Sequence, residues 1–195
     1  SGVITPVAEF DPIHLSGSMV SRATLHNFSE IRKKDIKIGD TLILEKAGEI
    51  IPAVVGVVLG KRSGKEVSIE MPVECPHCME GVRFDDPKLY CLNPWCQAQL
   101  IKRLEFFASK SAMDIEGLGS SAAETICNEM EIESIADIYK LTEDDFSERG
   151  NFGPKVSENL VAAIQKSKQQ PFWRFLVGLG IPEIGVTASK AITKE

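Results

Sequence analysis

The sequence predicts a multi-domain chain: an all-β barrel over residues 1–72, a small four-cysteine module over 73–103, and an all-α array of helix-hairpin-helix repeats over 104–195. Three observations predict it. Short runs of alternating apolar residues broken by turn signals fill the first part, and two close cysteine pairs, Cys75/Cys78 and Cys91/Cys96, occupy the second. Glycine-rich breaks punctuate the third, with last glycines Gly119, Gly153 and Gly185 spaced 34 and then 32 residues apart.

The barrel is read from its strands. Asp35-Ile36-Lys37-Ile38 alternates and closes on Gly39-Asp40; Thr41 to Lys46, Ile50 to Leu59 and Val67 to Met71 follow, separated by Ala47-Gly48-Glu49 and further turn residues. Pro52 removes a ladder donor, so its strand lies at an edge or bulge of a partly open barrel. The basic cluster Ile31-Arg32-Lys33-Lys34 is read as a solvated turn between elements.

Cys75-Pro76-His77-Cys78 and Cys91-Leu92-Asn93-Pro94-Trp95-Cys96 present four thiolates from two short knuckles, the ligand set of a closed tetrahedral zinc site. The alternatives are free thiols or disulfides, and a disulfide across two intervening residues is short and strained. Cys75, Cys78, Cys91 and Cys96 are therefore the predicted Zn2+ ligands, with His77 pointing outward. The fifth cysteine, Cys127, lies on an apolar helical stripe with no His or Lys beside it in sequence, which predicts a buried structural thiol.

After the cysteines the period becomes helical. Gln97 to Ala108 places Leu100, Leu104 and Phe107 on one face. The breaks Ile115-Glu116-Gly117-Leu118-Gly119, Gly150-Asn151-Phe152-Gly153-Pro154-Lys155 and Leu179-Gly180-Ile181-Pro182-Glu183-Ile184-Gly185 each precede a short amphipathic stretch. A tight glycine hairpin lets the backbone approach a phosphate, and the unpaired amides opening the next helix favour an anion. Gly117, Gly119, Gly153, Gly180 and Gly185 are thus candidate phosphate-binding positions, with Lys155 adding charge. The alternative is that these glycines only cap helices.

A net charge of −6 argues against nucleic acid until its distribution is read: residues 104–148 carry two Lys/Arg against twelve Asp/Glu, residues 149–195 seven against three. The acid belongs to one segment, and the second and third hairpins sit in the basic one. No catalytic triad, Walker loop or dinucleotide fingerprint occurs, so no catalytic residue is predicted. The longest apolar run, Ile50 to Leu59, is interrupted by Pro52 and Gly56 and is about half of what a bilayer needs. The start has no basic n-region, and the expected location is cytoplasmic.

Taken together, these modules in this order resemble the middle and C-terminal part of bacterial NAD-dependent DNA ligases. The resemblance rests on Gly2-Val3-Ile4-Thr5-Pro6-Val7-Ala8, Ser21-Arg22-Ala23-Thr24-Leu25-His26-Asn27, Ile38-Gly39-Asp40 and Ala47-Gly48-Glu49-Ile50-Ile51-Pro52. It continues through both knuckles into Gln97-Ala98-Gln99, then Ala112-Met113-Asp114-Ile115-Glu116-Gly117-Leu118-Gly119 and Leu176-Val177-Gly178-Leu179-Gly180-Ile181. It implies an oligonucleotide-binding (OB) fold for the barrel, an incomplete helix-hairpin-helix domain, and a fragment without the adenylation domain, whose Lys-x-Asp-Gly motif is absent here. It also implies a clamp on nicked duplex DNA in replication and repair, with Arg22, His26 and Asn27 near the DNA and Lys46 facing the nick or the missing adenylation domain. NAD and Mg2+ would serve only the intact enzyme, and the fragment, expected to be a monomer, would bind DNA without sealing it.

Two other readings compete. In one the chain is a non-enzymatic zinc-containing adaptor for nucleic acid or protein, its acidic segment meeting a basic partner. In the other it is a nuclease or glycosylase, which needs a carboxylate or lysine set beside a hairpin in a pocket; Asp114 and Glu116 fit a solvated helix start better.

Overall fold

The computed structural model describes residues 2–15, 17–47 and 51–194, with the side chains of residues 46, 47 and 51 outside that description. The chain divides into two compact units, Gly2–Asn93 and the part from Pro94 onward. Among the described residues no helix is long and apolar enough to cross a membrane.

The first unit is built on a four-stranded sheet of order β2-β3-β6-β5, formed by Val7–Leu15 (β2), Ser18–Thr24 (β3), Ile51–Val57 (β6) and Leu42–Ala47 (β5). β2 and β3 are antiparallel, pairing Val7 with Thr24 and Ile13 with Val20, and the register slips between Glu9 and Ile13, where Pro12 offers no amide. β3 meets β6 in parallel at Thr24 and Ala53, and β6 returns along β5 with a second irregularity after Ile43, opposite Gly56. Two such slips bend strands and let the sheet curl over one core: Ala23, Leu25, Phe28, Ile31, Ile36, Val54 and Leu89.

Leu89 comes from far along the chain. Val3–Ile4 (β1) pairs not with the barrel but with Lys88–Cys91 (β9), which pairs in turn with Val82–Asp85 (β8). The hairpin of the cysteine region thereby belongs to the same compact unit as the barrel strands. Lys37–Ile38 (β4) and Val67–Ser68 (β7) form a small ribbon, shorter than the alternation at 35–40 and 67–71 suggests.

The basic cluster read as a turn is a helix. Phe28–Lys33 (α1) is capped by Asn27, whose Oδ1 accepts from the Glu30 amide at 2.8 Å, and it buries Phe28 and Ile31. Arg32 and Lys33 fall in its last turn, where cations suit the dipole, and Lys34 turns inward to the Val54 carbonyl at 3.1 Å and to Glu30. At six residues α1 is too short to show a period. Beside it Arg62 donates two bonds to the Asp40 carboxylate, at 2.7 and 2.8 Å, one to the Asp35 carboxylate at 2.6 Å and one to the Asp35 carbonyl. The Asp40 side chain is 1% exposed, and the guanidinium holds its carboxyl below the usual carboxylate range.

The second unit is all-helical. Gln97–Ala108 (α2) forms as the spacing predicts and buries Leu100, Leu104 and Phe107. Ser120–Glu129 (α3), Pro154–Ser167 (α4), Phe172–Gly178 (α5) and Val186–Thr193 (α6) follow. Between α3 and α4 come a tight turn over Ile135–Lys140, opened by a Ser134/Asp137 capping box, and a wide turn over Asp145–Arg149 that buries Phe146. The core takes Leu104, Phe107, Ile126, Ile138, Leu160 and Ile164 from four of these elements. Phe107, 1% exposed, has Tyr139 and Phe175 edge-on at 6.4 and 6.3 Å.

Gly178 packs directly against that ring: a Cβ there would lie 2.8 Å from Phe107 Cδ2. In an open helix a Gly-to-Ala change gains about 1 kcal/mol of propensity. Here the clash with a ring pinned on two sides outweighs it, so Gly178→Ala is expected to destabilise by about 1–3 kcal/mol. Thermal melting checks this; a raised melting temperature would show that the core gives way easily.

Candidate metal centre and nucleic-acid interface

The sulfur atoms of Cys75, Cys78, Cys91 and Cys96 all lie within 4.8 Å of one another. Local structure puts them there. Cys75 heads a tight turn in which the Met79 amide donates to the Cys75 carbonyl at 2.9 Å and the Cys75 amide to the Glu80 carbonyl at 2.7 Å, with Met79 in the left-handed region at φ 59°. Cys91 ends β9, and Cys96 opens α2 as its N-cap. Cys75, Cys91 and Cys96 are buried, Cys78 is half-buried, and Cys78 and Cys91 bring their sulfurs to 3.6 Å. Four thiolates at about 2.3 Å from a tetrahedral zinc stand about 3.8 Å apart, so the donor set and its spacing fit that ion. A backbone hydrogen bond at Glu80 helps pull the Cys78 thiol down to about 7, towards the thiolate that metals bind. His77 is exposed and outside the group. All four positions of such a shell are protein sulfurs, the arrangement of a structural rather than a catalytic ion.

The three glycine breaks share one local geometry. Gly119, Gly153 and Gly185 are the N-caps of α3, α4 and α6. Each carbonyl accepts from the amide four residues on, at 2.9 Å from Ala123, 3.0 Å from Ser157 and 2.9 Å from Ser189. Two residues before each of them the backbone turns left-handed, at Gly117 (φ 84°), Asn151 (φ 56°) and Glu183 (φ 65°). Only the first of these is glycine; Asn visits that region readily, and Glu183 does so at a cost. The N-cap glycines themselves have φ of −85°, −66° and −87°, open to any residue, and a Cβ added at any of them meets nothing within 4 Å. Neither backbone conformation nor packing within the chain demands glycine there. The first amides of each helix, which have no intrahelical partner, are left beside an open backbone.

The other predicted positions are placed as follows. Gly117 has Leu160 Cδ2 3.2 Å from where its Cβ would stand, so it serves packing as well as the turn. Gly180 is left-handed at φ 63°, beside Phe106. Lys155 is 78% exposed and already paired with Glu158 at 3.0 Å. On the barrel, Arg22 lies on β3 and pairs with Glu9 at 2.8 Å, both largely exposed. His26 is exposed at φ 63°, its amide donating to Thr24 Oγ1, and Asn27 uses its side-chain oxygen to cap α1. The Lys46 side chain and Gly48, Glu49 and Ile50 lie outside the described residues. Cys127 is buried on α3, and burial pushes its thiol up to about 11, an inert group.

Residues 1–66 match the family profile described as the NAD-dependent DNA ligase OB-fold domain. A DNA ligase of Methylacidiphilum infernorum is 47% identical over 194 residues, covering 100% of this chain and 28% of that protein. Those of Thermosipho africanus and Bacillus cytotoxicus are each 44% identical, covering 98% and 100% of this chain and 29% of theirs. The chain belongs to the NAD-dependent DNA ligase family. It spans under a third of the length of these ligases, and the curled sheet of its first unit is the OB fold of the family.

Sequence reasoning missed Trp173 and Lys190, which the structure brings together: the ammonium of Lys190 stands 4.8 Å above the Trp173 ring. They lie on α5 and α6, and no motif spacing links them.

Metal uptake tests the sulfur cluster of this ligase segment. One cobalt ion per chain is expected to bind with tetrahedral, thiolate-type absorption, and zinc to displace it. Cys78→Ser is expected to shift that spectrum and to lower the melting temperature of the metal-loaded protein. Unchanged absorption and melting in Cys78→Ser would contradict a four-thiolate shell.

Proposed function

We propose that this chain is the DNA-gripping part of an NAD-dependent DNA ligase, an enzyme that seals nicks in duplex DNA during replication and repair. The observation that carries the reading is the thrice-repeated helix start with an N-cap glycine that nothing inside the chain requires. A bare backbone at a helix N-terminus suits an oxygen-rich anion that must come closer than a side chain permits, and a phosphate backbone offers such anions at regular intervals. The three breaks are then helix-hairpin-helix motifs, a backbone geometry that can hold phosphates without reading sequence. Zinc fills the four-thiolate site and holds the cysteine knuckles in shape. The OB fold contributes an open strand face, and Arg22 on β3 and His26 just beyond it are both exposed.

Charge divides the labour among the hairpins. The first, near Glu116, Glu124 and the rest of the acidic segment, repels phosphate and packs through Gly117 against Leu160. The second and third stand in the segment where Lys and Arg exceed Asp and Glu and hold the DNA.

In the whole enzyme a lysine takes AMP from NAD with release of nicotinamide mononucleotide, and AMP passes to the 5′-phosphate at the nick. The 3′-hydroxyl then displaces AMP, with magnesium neutralising charge on the phosphates. The 195 residues contain no Lys-x-Asp-Gly tetrapeptide to accept AMP. This part contributes orientation: it holds both sides of the nick so that the reacting oxygens stay in line.

Titrating the chain against nicked and intact duplexes by fluorescence anisotropy over a range of salt tests this reading. Tighter binding to the nicked duplex is expected, with log affinity falling by about 0.9 per phosphate contact for each log unit of salt, and no AMP–protein adduct on incubation with NAD. Salt-independent binding without nick preference would favour an adaptor, and an adduct would place the nucleotidyl chemistry within this chain.

A further inference from the structure

The three helix starts are alike in backbone and unlike in charge. Two residues after the N-cap glycine stand Ser121, Lys155 and Thr187; five residues after it stand Glu124, Glu158 and Lys190. The first start is thus acidic. At the second, Lys155 and Glu158 neutralise one another at 3.0 Å. At the third, Lys190 is exposed, and among the described residues no carboxylate lies within ion-pair distance of it. Side chains on a helix lean toward its N-terminus, so a cation at this position reaches back toward the first turn, where the amides of α6 are open.

Lys190 is also not left to wander. Its ammonium stands 4.8 Å above the centroid of the half-buried Trp173 ring, and the Arg174 guanidinium stands 5.0 Å from the same ring. Arg174 in turn donates from one terminal nitrogen to the carbonyls of Lys110 and Ala112, at 2.9 and 2.5 Å, fixing α5 to the first hairpin. An exposed lysine usually loses much rotamer freedom when it binds a phosphate; one already resting on an indole loses less. Unlike a carboxylate, the indole places the charge without neutralising it.

We propose that Lys190 is a phosphate-binding cation of the third hairpin and that Trp173 is its positioning residue. The proposal rests on the DNA-gripping reading above and names the side chains that act there. Lys190 supplies the charge, Trp173 holds it at the mouth of α6, and Arg174 fixes the helix that carries Trp173.

The test is a double-mutant cycle on nicked-duplex affinity across salt, using Lys190→Gln, Trp173→Leu and both together, with far-UV melting to confirm folding. Lys190→Gln is expected to weaken binding on the order of eightfold at 0.1 M salt and to lower the salt slope by about one, the signature of one lost phosphate contact. Trp173→Leu is expected to weaken binding in the parent and to add little once Lys190 is gone, and Trp173→Phe, which keeps a ring face, to recover part of the loss. Unchanged affinity and slope in Lys190→Gln overturns the proposal while leaving DNA binding intact. An equal loss from Trp173→Leu in both backgrounds makes Trp173 a packing residue only and overturns its positioning role. If Trp173→Leu fails to fold, Trp173→Phe takes its place in the cycle with the same criterion. A parent chain that shows no salt-dependent binding removes the DNA-gripping reading and this inference with it.

Discussion

The burial of Phe107 is the contact on which the helical unit depends. Its carbonyl accepts from the Met113 amide at 3.0 Å and so fixes the turn into the first hairpin. Its ring meets Tyr139, whose hydroxyl shares a 2.9 Å hydrogen bond with Ser167 at the end of α4, the helix of the second hairpin. The same ring meets Phe175 and is closed off by Gly178 on α5, the helix that leads to the third. Burying one Phe is worth about 1.5–3 kcal/mol, and each edge-to-face pair about 0.5–1.5 more, several times what an exposed ion pair offers. The hairpins are therefore held in mutual register by an apolar centre, and their exposed polar residues are free to serve a ligand.

That division reconciles a chain that is acidic in sum with the proposed grip on phosphate. The acid is concentrated in 104–148, and much of it is engaged locally: Asp137 in the capping box and with Lys140, Asp145 with Thr142. Where the chain turns basic, Lys155 is balanced by Glu158 and Lys190 is not. A count by segment separates the halves; only the folded structure separates a neutralised lysine from an available one.

Much of the architecture was legible in the sequence because it rests on local chemistry. The cysteine spacing predicts four sulfurs that do converge, the stripe at Leu100, Leu104 and Phe107 predicts α2, and the glycine period predicts three like helix starts. What escaped is non-local or too short. α1 hides inside a basic cluster because its two buried residues, Phe28 and Ile31, make no period, and β1 finds its partner β9 across most of a unit. The clasp of Arg62 on Asp40 joins residues with no sequence signature. Within the candidate site, glycine identity marked the three N-caps, whereas the Asn27 side chain caps a helix and the contact of Lys190 with an indole carries no sequence signature.

The central claim is that the N-cap glycines exist for what approaches from outside. The direct measurement is nicked-duplex affinity and thermal stability of Gly153→Ala and Gly185→Ala. Alanine is a poorer N-cap than glycine but lowers the conformational entropy of the unfolded chain, two effects of about 0.5–1 kcal/mol and opposite sign, so melting should hardly move. The account predicts near-parental melting with DNA affinity reduced tenfold or more, on the order of one lost phosphate contact plus a steric penalty. Parental affinity in both variants would contradict it and leave these glycines as ordinary helix caps.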